Sequence, residues 1–138
     1  MKKFKPIDHP SDVGIIAYGA DMRELFENAA LGMFCLMADL SKVKAKVEVE
    51  VKVEAEDKET LLVNWLNELI FLEDSKRVIF KEFKISEMTE KLLNAKAYGE
   101  KIDPARHAVS RPVKAATYNQ LEIKKEKDSW RARIVFDV

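Results

Sequence analysis

Val43-Lys44-Ala45-Lys46-Val47-Glu48-Val49-Glu50-Val51-Lys52-Val53-Glu54-Ala55 alternates apolar and charged residues without a break. Successive side chains of a strand point to opposite faces. The stretch from Ser41 to Ala55 therefore predicts a strand with its valines on a core and its charges in water. Those charges mix signs, which suits a solvated sheet face with cross-strand pairing rather than a nucleic-acid patch. On either side the period changes. Upstream, Asp21 followed by Glu24 resembles a capping box. Leu25, Phe26, Ala29, Ala30, Met33, Phe34 and Met37 then fall on one helical stripe, with Arg23, Glu24, Glu27 and Asn28 on the outer face. Downstream, Asp57 can cap a second helix running to about Glu73. Its Leu61, Leu62, Trp65, Leu66, Leu69, Ile70 and Leu72 leave only a narrow polar stripe of Asn64, Asn67 and Glu68. A helix that apolar is largely buried. Its asparagines are expected to bond neighbouring loops more than to build a site or a partner surface.

The remaining segments read as strands. Met1 to Asp8 is a basic lead-in suited to an edge strand, and Asp12 to Tyr18 is a strand closed by Gly19. Lys76 to Ile85 alternates except at Lys81-Glu82, where a bulge is expected. Leu92 to Tyr98 follows, then Ala116 to Lys124 and Trp130 to Asp137, joined by a charged turn. Lys101 to Val113 has no period. The order β-α-β-α-β-β-β-β predicts an α+β fold, an antiparallel or mixed sheet with two helices on one face. With 138 residues and no linker, repeat or low-complexity stretch, a single domain over 1–138 is expected.

Composition narrows the function classes. Lys+Arg 24 balances Asp+Glu 24, so bulk attraction to nucleic acid or to an anionic membrane is not indicated. No apolar run is long enough to span a bilayer and no signal peptide is evident, which makes a cytoplasmic location the expectation. Cys35 is the lone cysteine, which excludes an intrachain disulfide. Between Phe34 and Leu36 it is expected to be a buried thiol rather than a nucleophile.

Two clusters carry chemistry. In His9-Pro10-Ser11-Asp12-Val13-Gly14, Pro10 biases His9 away from helix and Gly14 lets the backbone approach another segment closely. Asp12 then stands at the mouth of a strand. At the far end, Ile134-Val135-Phe136 runs into Asp137 and Val138. If the terminal strands pair, Asp12, Asp137 and the Val138 carboxylate converge, and carboxylates that converge need protons or a hard cation such as Ca²⁺ or Mg²⁺. Spacing alone favours a plainer reading, in which Asp12 caps a turn and the tail is an exposed end. The second cluster is the basic loop with Arg106, His107, Arg111 and Lys114 near Tyr98 and Tyr118. It suits a phosphate or an acidic partner surface as well as it suits plain solvation. No nucleophile is arranged with His107, and the glycines are isolated rather than gathered in a phosphate loop, so no self-sufficient enzyme is read here.

Taken together, several stretches resemble the archease family: His9-Pro10-Ser11-Asp12-Val13-Gly14, Leu25-Phe26-Glu27-Asn28-Ala29-Ala30, Leu62-Val63-Asn64-Trp65-Leu66-Asn67-Glu68-Leu69, Gly99-Glu100 with Asp103 and Arg106-His107, Val113-Lys114-Ala115-Ala116-Thr117-Tyr118, and Phe136-Asp137-Val138. The resemblance covers nearly the whole chain in order. It implies a cytoplasmic protein cofactor, not a catalyst, that assists an RtcB-type RNA-splicing ligase by promoting its loading with guanylate and its repeated turnover in tRNA splicing. A wider role as a chaperone or specificity modulator of another RNA-modifying enzyme, such as a tRNA methyltransferase, is the alternative it implies. It also implies a divalent metal ion, Ca²⁺ first and Mg²⁺ or Mn²⁺ after it, on Asp12, Asp137 and Val138. Arg106, His107 and Lys114 are then expected to contact the ligase or its RNA. Neither membrane nor DNA is an expected partner. The chain departs from the family pattern at Pro10-Ser11, where Thr-Ala is common, and at Asn119, where His is common.

Overall fold

The structure, a computed structural model, describes residues 2–7, 12–107 and 111–138. The expected readings of His9, Pro10 and Ser11 lie outside the described residues. Ten elements follow in order: β1 (Phe4–Pro6), β2 (Val13–Gly19), α1 (Met22–Met37), β3 (Val47–Glu54), α2 (Lys58–Lys76), β4 (Val78–Met88), β5 (Leu92–Lys101), β6 (Ala115–Ala116), β7 (Glu122–Glu126) and β8 (Ser129–Asp137). The fold is α+β, with every strand pair antiparallel. The strands divide into two sheets rather than one. A five-stranded sheet runs β1-β2-β8 with β6 and β7 beyond β8, and a three-stranded sheet runs β3-β5-β4. Helix α1 packs against β2 of the first sheet and β4 of the second, and α2 reaches β3 and β6. None of the described helices is long and apolar enough to cross a membrane.

The helix ends follow the sequence signals. Asp21 accepts from the Glu24 N–H at 2.8 Å, and the Glu24 carboxylate accepts in return from the Ala20 N–H at 2.9 Å, one residue further back than a standard capping box. Asp57 accepts from the Thr60 N–H at 2.7 Å. Helix α2 stops at Arg77, whose φ of 56° places it in the left-handed region that closes helices. Between the helices and the second sheet lies an aromatic cluster. Phe34 stacks on Phe83 and meets Phe80 edge-on, each with centroids 5.7 Å apart, and Trp65 meets Phe83 edge-on at 6.2 Å.

Several expectations are corrected. The alternating stretch becomes a strand only at Val47, because side chains take the upstream main chain. Lys81 Nζ donates to the Val43 carbonyl, and Glu100 accepts the Lys44 N–H. The expected strand Ala116 to Lys124 is two pieces along one edge of β8. Pairing passes from Ala116 opposite Phe136 to Glu122 opposite Arg133, so six residues answer to three and the intervening segment loops out through left-handed Gln120. Asn28 is buried rather than on the outer face, its amide donating to the Tyr18 carbonyl at 2.7 Å. Cys35 is exposed rather than buried, since sequence neighbours on a helix point about 100° apart and Phe34 takes the core direction while Cys35 turns outward. The bulge expected near Lys81 is present, with a second between Ile85 and Glu87.

Candidate functional site

The two ends of the chain meet. β2 and β8 pair from Val13 opposite Phe136 to Gly19 opposite Trp130. Asp12 comes one residue before Val13 and Asp137 one residue after Phe136, so both aspartates leave the last registered pair at the same end. On its other side, Asp137 is held by β6. It lies opposite Ala115, and its carbonyl accepts the Lys114 N–H at 2.8 Å. The sequence makes this approach possible at Gly14. A Cβ there would stand 2.3 Å from the Ile134 carbonyl oxygen, so only glycine lets β2 lie this close to β8 behind Asp12.

A cleft of about 510 Å³ opens at this junction, with Asp12, Asp137 and Val138 on its walls beside Thr117 and Asn119. Thr117 is fixed by its hydroxyl, which donates to the Val135 carbonyl at 2.9 Å and accepts the Asn119 N–H at 3.3 Å. Asn119 therefore takes its place on the wall through a short turn, where the family pattern often has His. Among the described residues, no group of three His, Cys, Asp or Glu side chains is placed to hold a metal. The expected third ligand is a main-chain carboxylate and not a side chain. The charged walls of the cleft are carboxylates, those of Asp12, Asp137 and Val138, with Thr117 and Asn119 beside them. An all-oxygen, solvent-open set fits a hard divalent cation and disfavours a soft one.

The basic loop is built differently from its expected reading. Its centre is Glu100, a buried carboxylate at the end of β5. One oxygen accepts the Lys44 N–H at 3.0 Å and faces His107 Nε2 at 3.1 Å, and the other bonds the Arg106 guanidinium. Lys46 Nζ approaches to 3.7 Å. His107 Nδ1 accepts the Asp103 N–H at 2.9 Å, so the ring proton sits on Nε2 and points at Glu100. The His107 ring is fully buried and braces the loop, offering no surface to a partner. Arg106 is partly exposed but engaged with Glu100, and exposed Lys114 follows the unperiodic segment into β6 beside Asp137. Sequence reading missed Glu100 as the organiser of this loop. An acidic residue a few positions before the basic Arg106-His107 was the available signal.

The Lys44 N–H, followed by the bonds from Arg106 and His107, pulls the Glu100 carboxyl from its ordinary 4.5 down to about 2. A carboxyl held low in the folded state stabilises the fold above its unfolded value and loses that contribution as pH falls. Glu100 therefore contributes fully above about pH 4.5, and its contribution fades toward pH 2. Glu100→Gln is expected to be less stable than the wild type at neutral pH. Its stability should also fall less steeply with acid between these limits, by up to one proton in slope. Urea titrations across pH 2–7 check this, and an unchanged slope would show that Glu100 is not held low.

One more residue links the helices to the site. Asn67 of α2 donates to the Ala116 carbonyl at 3.3 Å and accepts the Ala116 N–H at 2.7 Å, imitating a ladder partner for the short β6. Asn64 donates to the Glu54 carbonyl at 3.0 Å. Both asparagines bond main chain, but of strands β3 and β6 rather than of the loops expected from sequence, and Asn67 steadies the strand that flanks Asp137.

Comparison with known proteins places this arrangement. The model of the archease protein family (MTH1598/TM1083) matches residues 4–138. The chain is 42% identical over 142 residues to the protein archease of Pyrococcus abyssi and 41% identical over 139 residues to that of Sulfolobus acidocaldarius, covering 100% of both chains in each case. Its structure superposes on the solution structure of protein 1598 from Methanobacterium thermoautotrophicum with a TM-score of 0.84 at 40% identity, covering 100% of both chains. An archease from Thermotoga maritima, described as a possible chaperone, has the same fold at 23% identity and a TM-score of 0.63, over 97% of this chain and 96% of its own. With the fold, nearly the full length and these relatives in agreement, the chain belongs to the archease family.

Proposed function

We propose that the protein is a non-catalytic activator of an RtcB-type RNA-splicing ligase, promoting its guanylylation and its multiple turnover in tRNA splicing. The observation that carries this reading is the shared cleft of Asp12, Asp137 and Val138. Asp12 directly precedes β2 and Asp137 ends β8, and these two strands pair from Val13 opposite Phe136 onward, so both aspartates are presented at the same end of that pair. In this reading they hold a divalent cation with the main-chain carboxylate of Val138, Ca²⁺ first and Mg²⁺ or Mn²⁺ as alternatives. When bound, the cation supplies positive charge that nucleotide phosphates accept. Asp12, Asp137 and Val138 orient that charge toward the ligase, Lys114 and Arg106 contact the ligase or its RNA, and His107 keeps the Arg106 loop in shape. tRNA is met through the ligase.

A second reading has its own observation. Phe71 is 62% exposed on α2, beside a groove of about 660 Å³ whose walls include Ile70, Ile102 and Val113. An exposed apolar surface of this kind suits a chaperone or specificity modulator of another RNA-modifying enzyme, such as a tRNA methyltransferase. Loading of the ligase with guanylate from GTP separates the two. With the protein present in less than molar equivalence, loading should accelerate. Asp12→Ala should reduce that acceleration by about tenfold or more, since even changes outside the ligand shell cost about 10–100-fold in metal affinity. If Phe71→Ser reduces it and Asp12→Ala does not, the second reading is the better one.

A further inference from the structure

The three-stranded sheet has two edges, and they are finished differently. The β4 edge is closed. Two bulges interrupt its pairing, and Glu27 from α1 accepts the Ile85 N–H at 2.9 Å. The β3 edge is straight. It pairs with β5 from Val47 opposite Gly99 to Glu54 opposite Leu92 without a register shift. The Ala55 N–H donates to the Lys91 carbonyl, so within β3 odd-numbered residues turn their main-chain groups toward β5 and even-numbered ones turn theirs outward, whereas Lys46, just before the strand, gives its N–H to the Gly99 carbonyl at 2.9 Å. The Glu54 carbonyl, bonded from outside by Asn64, confirms that parity. Among the described residues, no strand pairs with the outer edge of β3.

We propose that this edge pairs with the same edge of a second copy, joining two three-stranded sheets about a two-fold axis. The charge sequence selects the occupant. In an antiparallel pairing centred on Glu50, Glu48 of one copy lies opposite Lys52 of the other, twice by symmetry; Lys46 and Glu54 come opposite at the ends as side chains alone, since the Lys46 N–H and the Glu54 carbonyl are already bonded within the chain. Only Glu50 meets its own kind. Sliding the register by two residues one way keeps two opposite-charge pairs, Glu50 with Lys52, but sets Glu48 against Glu54 twice, where the centred register has a single like-charge meeting. Sliding it the other way sets Glu48 against Glu50 and Lys46 against Lys52. The centred register also matches even residues with even residues, as the outward main-chain groups require, and aligns Val49 with Val51 on the core side. Cross-strand pairs of opposite charge stabilise a sheet, and like pairs oppose it.

Sedimentation equilibrium of the full chain over a range of concentrations tests this. The wild type is expected to dimerise. Lys52→Glu, at an exposed position, creates two Glu–Glu oppositions and should raise the dissociation constant roughly tenfold or more. Glu48→Lys should do the same through two Lys–Lys oppositions. Mixed together, the two variants restore both opposite-charge pairs, and a heterodimer should form about as tightly as the wild-type dimer. A wild type that stays monomeric at every concentration, or a dimer that ignores both variants, would overturn the proposal. So would a mixture that fails to pair.

Discussion

Trp65→Ala should cost about 3–5 kcal/mol of folding stability, the range for deleting a large aromatic side chain from a packed core. Trp65 is fully buried, on the helix that the sequence marks as apolar nearly all round. It does two jobs. Its ring meets Phe83 edge-on at 6.2 Å, which fastens α2 to β4. Its Nε1–H donates to the Phe26 carbonyl at 2.9 Å, which fastens α2 to α1. The neighbours belong to two helices and a sheet and cannot all move into the space, so a large cavity should remain. Trp65→Phe keeps much of the ring and loses the hydrogen bond. It should cost less, about 1–2 kcal/mol. Urea unfolding of both variants gives the comparison. A loss below about 1 kcal/mol for Trp65→Ala would contradict the central placing of this residue.

Gly14→Ala should be costly for a different reason. Its Cβ would stand 2.3 Å from the Ile134 carbonyl oxygen and 2.7 Å from the Ile7 side chain. That carbonyl belongs to the paired β8 and cannot turn aside, so β2 must move away from β8. Overpacking of this kind typically costs about 1–3 kcal/mol. The displacement also falls two residues from Asp12, so the two aspartates should come apart and ligase stimulation should fall further than stability alone explains. Gly32→Ala provides the control. Its nearest neighbours are side-chain atoms of Ile15 and Phe4, at 2.8 and 3.0 Å, which can adjust, and alanine is the better helix former by about 1 kcal/mol. Equal losses for the two variants, in stability and in stimulation, would show that Gly14 has no special bearing on the site.

Much of this was legible in the sequence because the periods are strong. The stripe from Leu25 to Met37, the apolar circumference of α2 and the valines of β3 each name their element and their buried face. The slip at Lys81-Glu82 marks its bulge. Division into two sheets was not legible, because alternation reports which face is buried and not which strand lies beside which. The break at residues 117–121 was hidden for a related reason. Thr117 and Tyr118 suit a strand locally, and only the geometry of β8 forces the chain out. Asn28 was misplaced because a helical stripe is broad, and a polar residue at its margin turns inward when a carbonyl such as that of Tyr18 waits there, and Cys35 was misplaced because apolar sequence neighbours on a helix do not share its direction. For the site, Asp12 and Asp137 were visible as strand-end carboxylates, but their meeting depends on pairing between opposite ends of the chain. Glu100 as the organiser of the basic loop was only partly legible: Arg106 and His107 lie close to it in sequence, but Lys44 reaches it from 56 residues away once the chain before β3 lies along β5.

Multiple-turnover RNA ligation by an RtcB-type ligase, measured with and without this protein and with Val138 left untagged, bears most directly on the proposed activity. Ligation is expected to pass from a single round to many when the wild type is added. Asp12→Ala, or removal of Val138, should return it to a single round while the protein stays folded. Ligation that is unchanged by the wild type, or stimulated equally by Asp12→Ala, would contradict the activator reading and the role given to the acidic cleft.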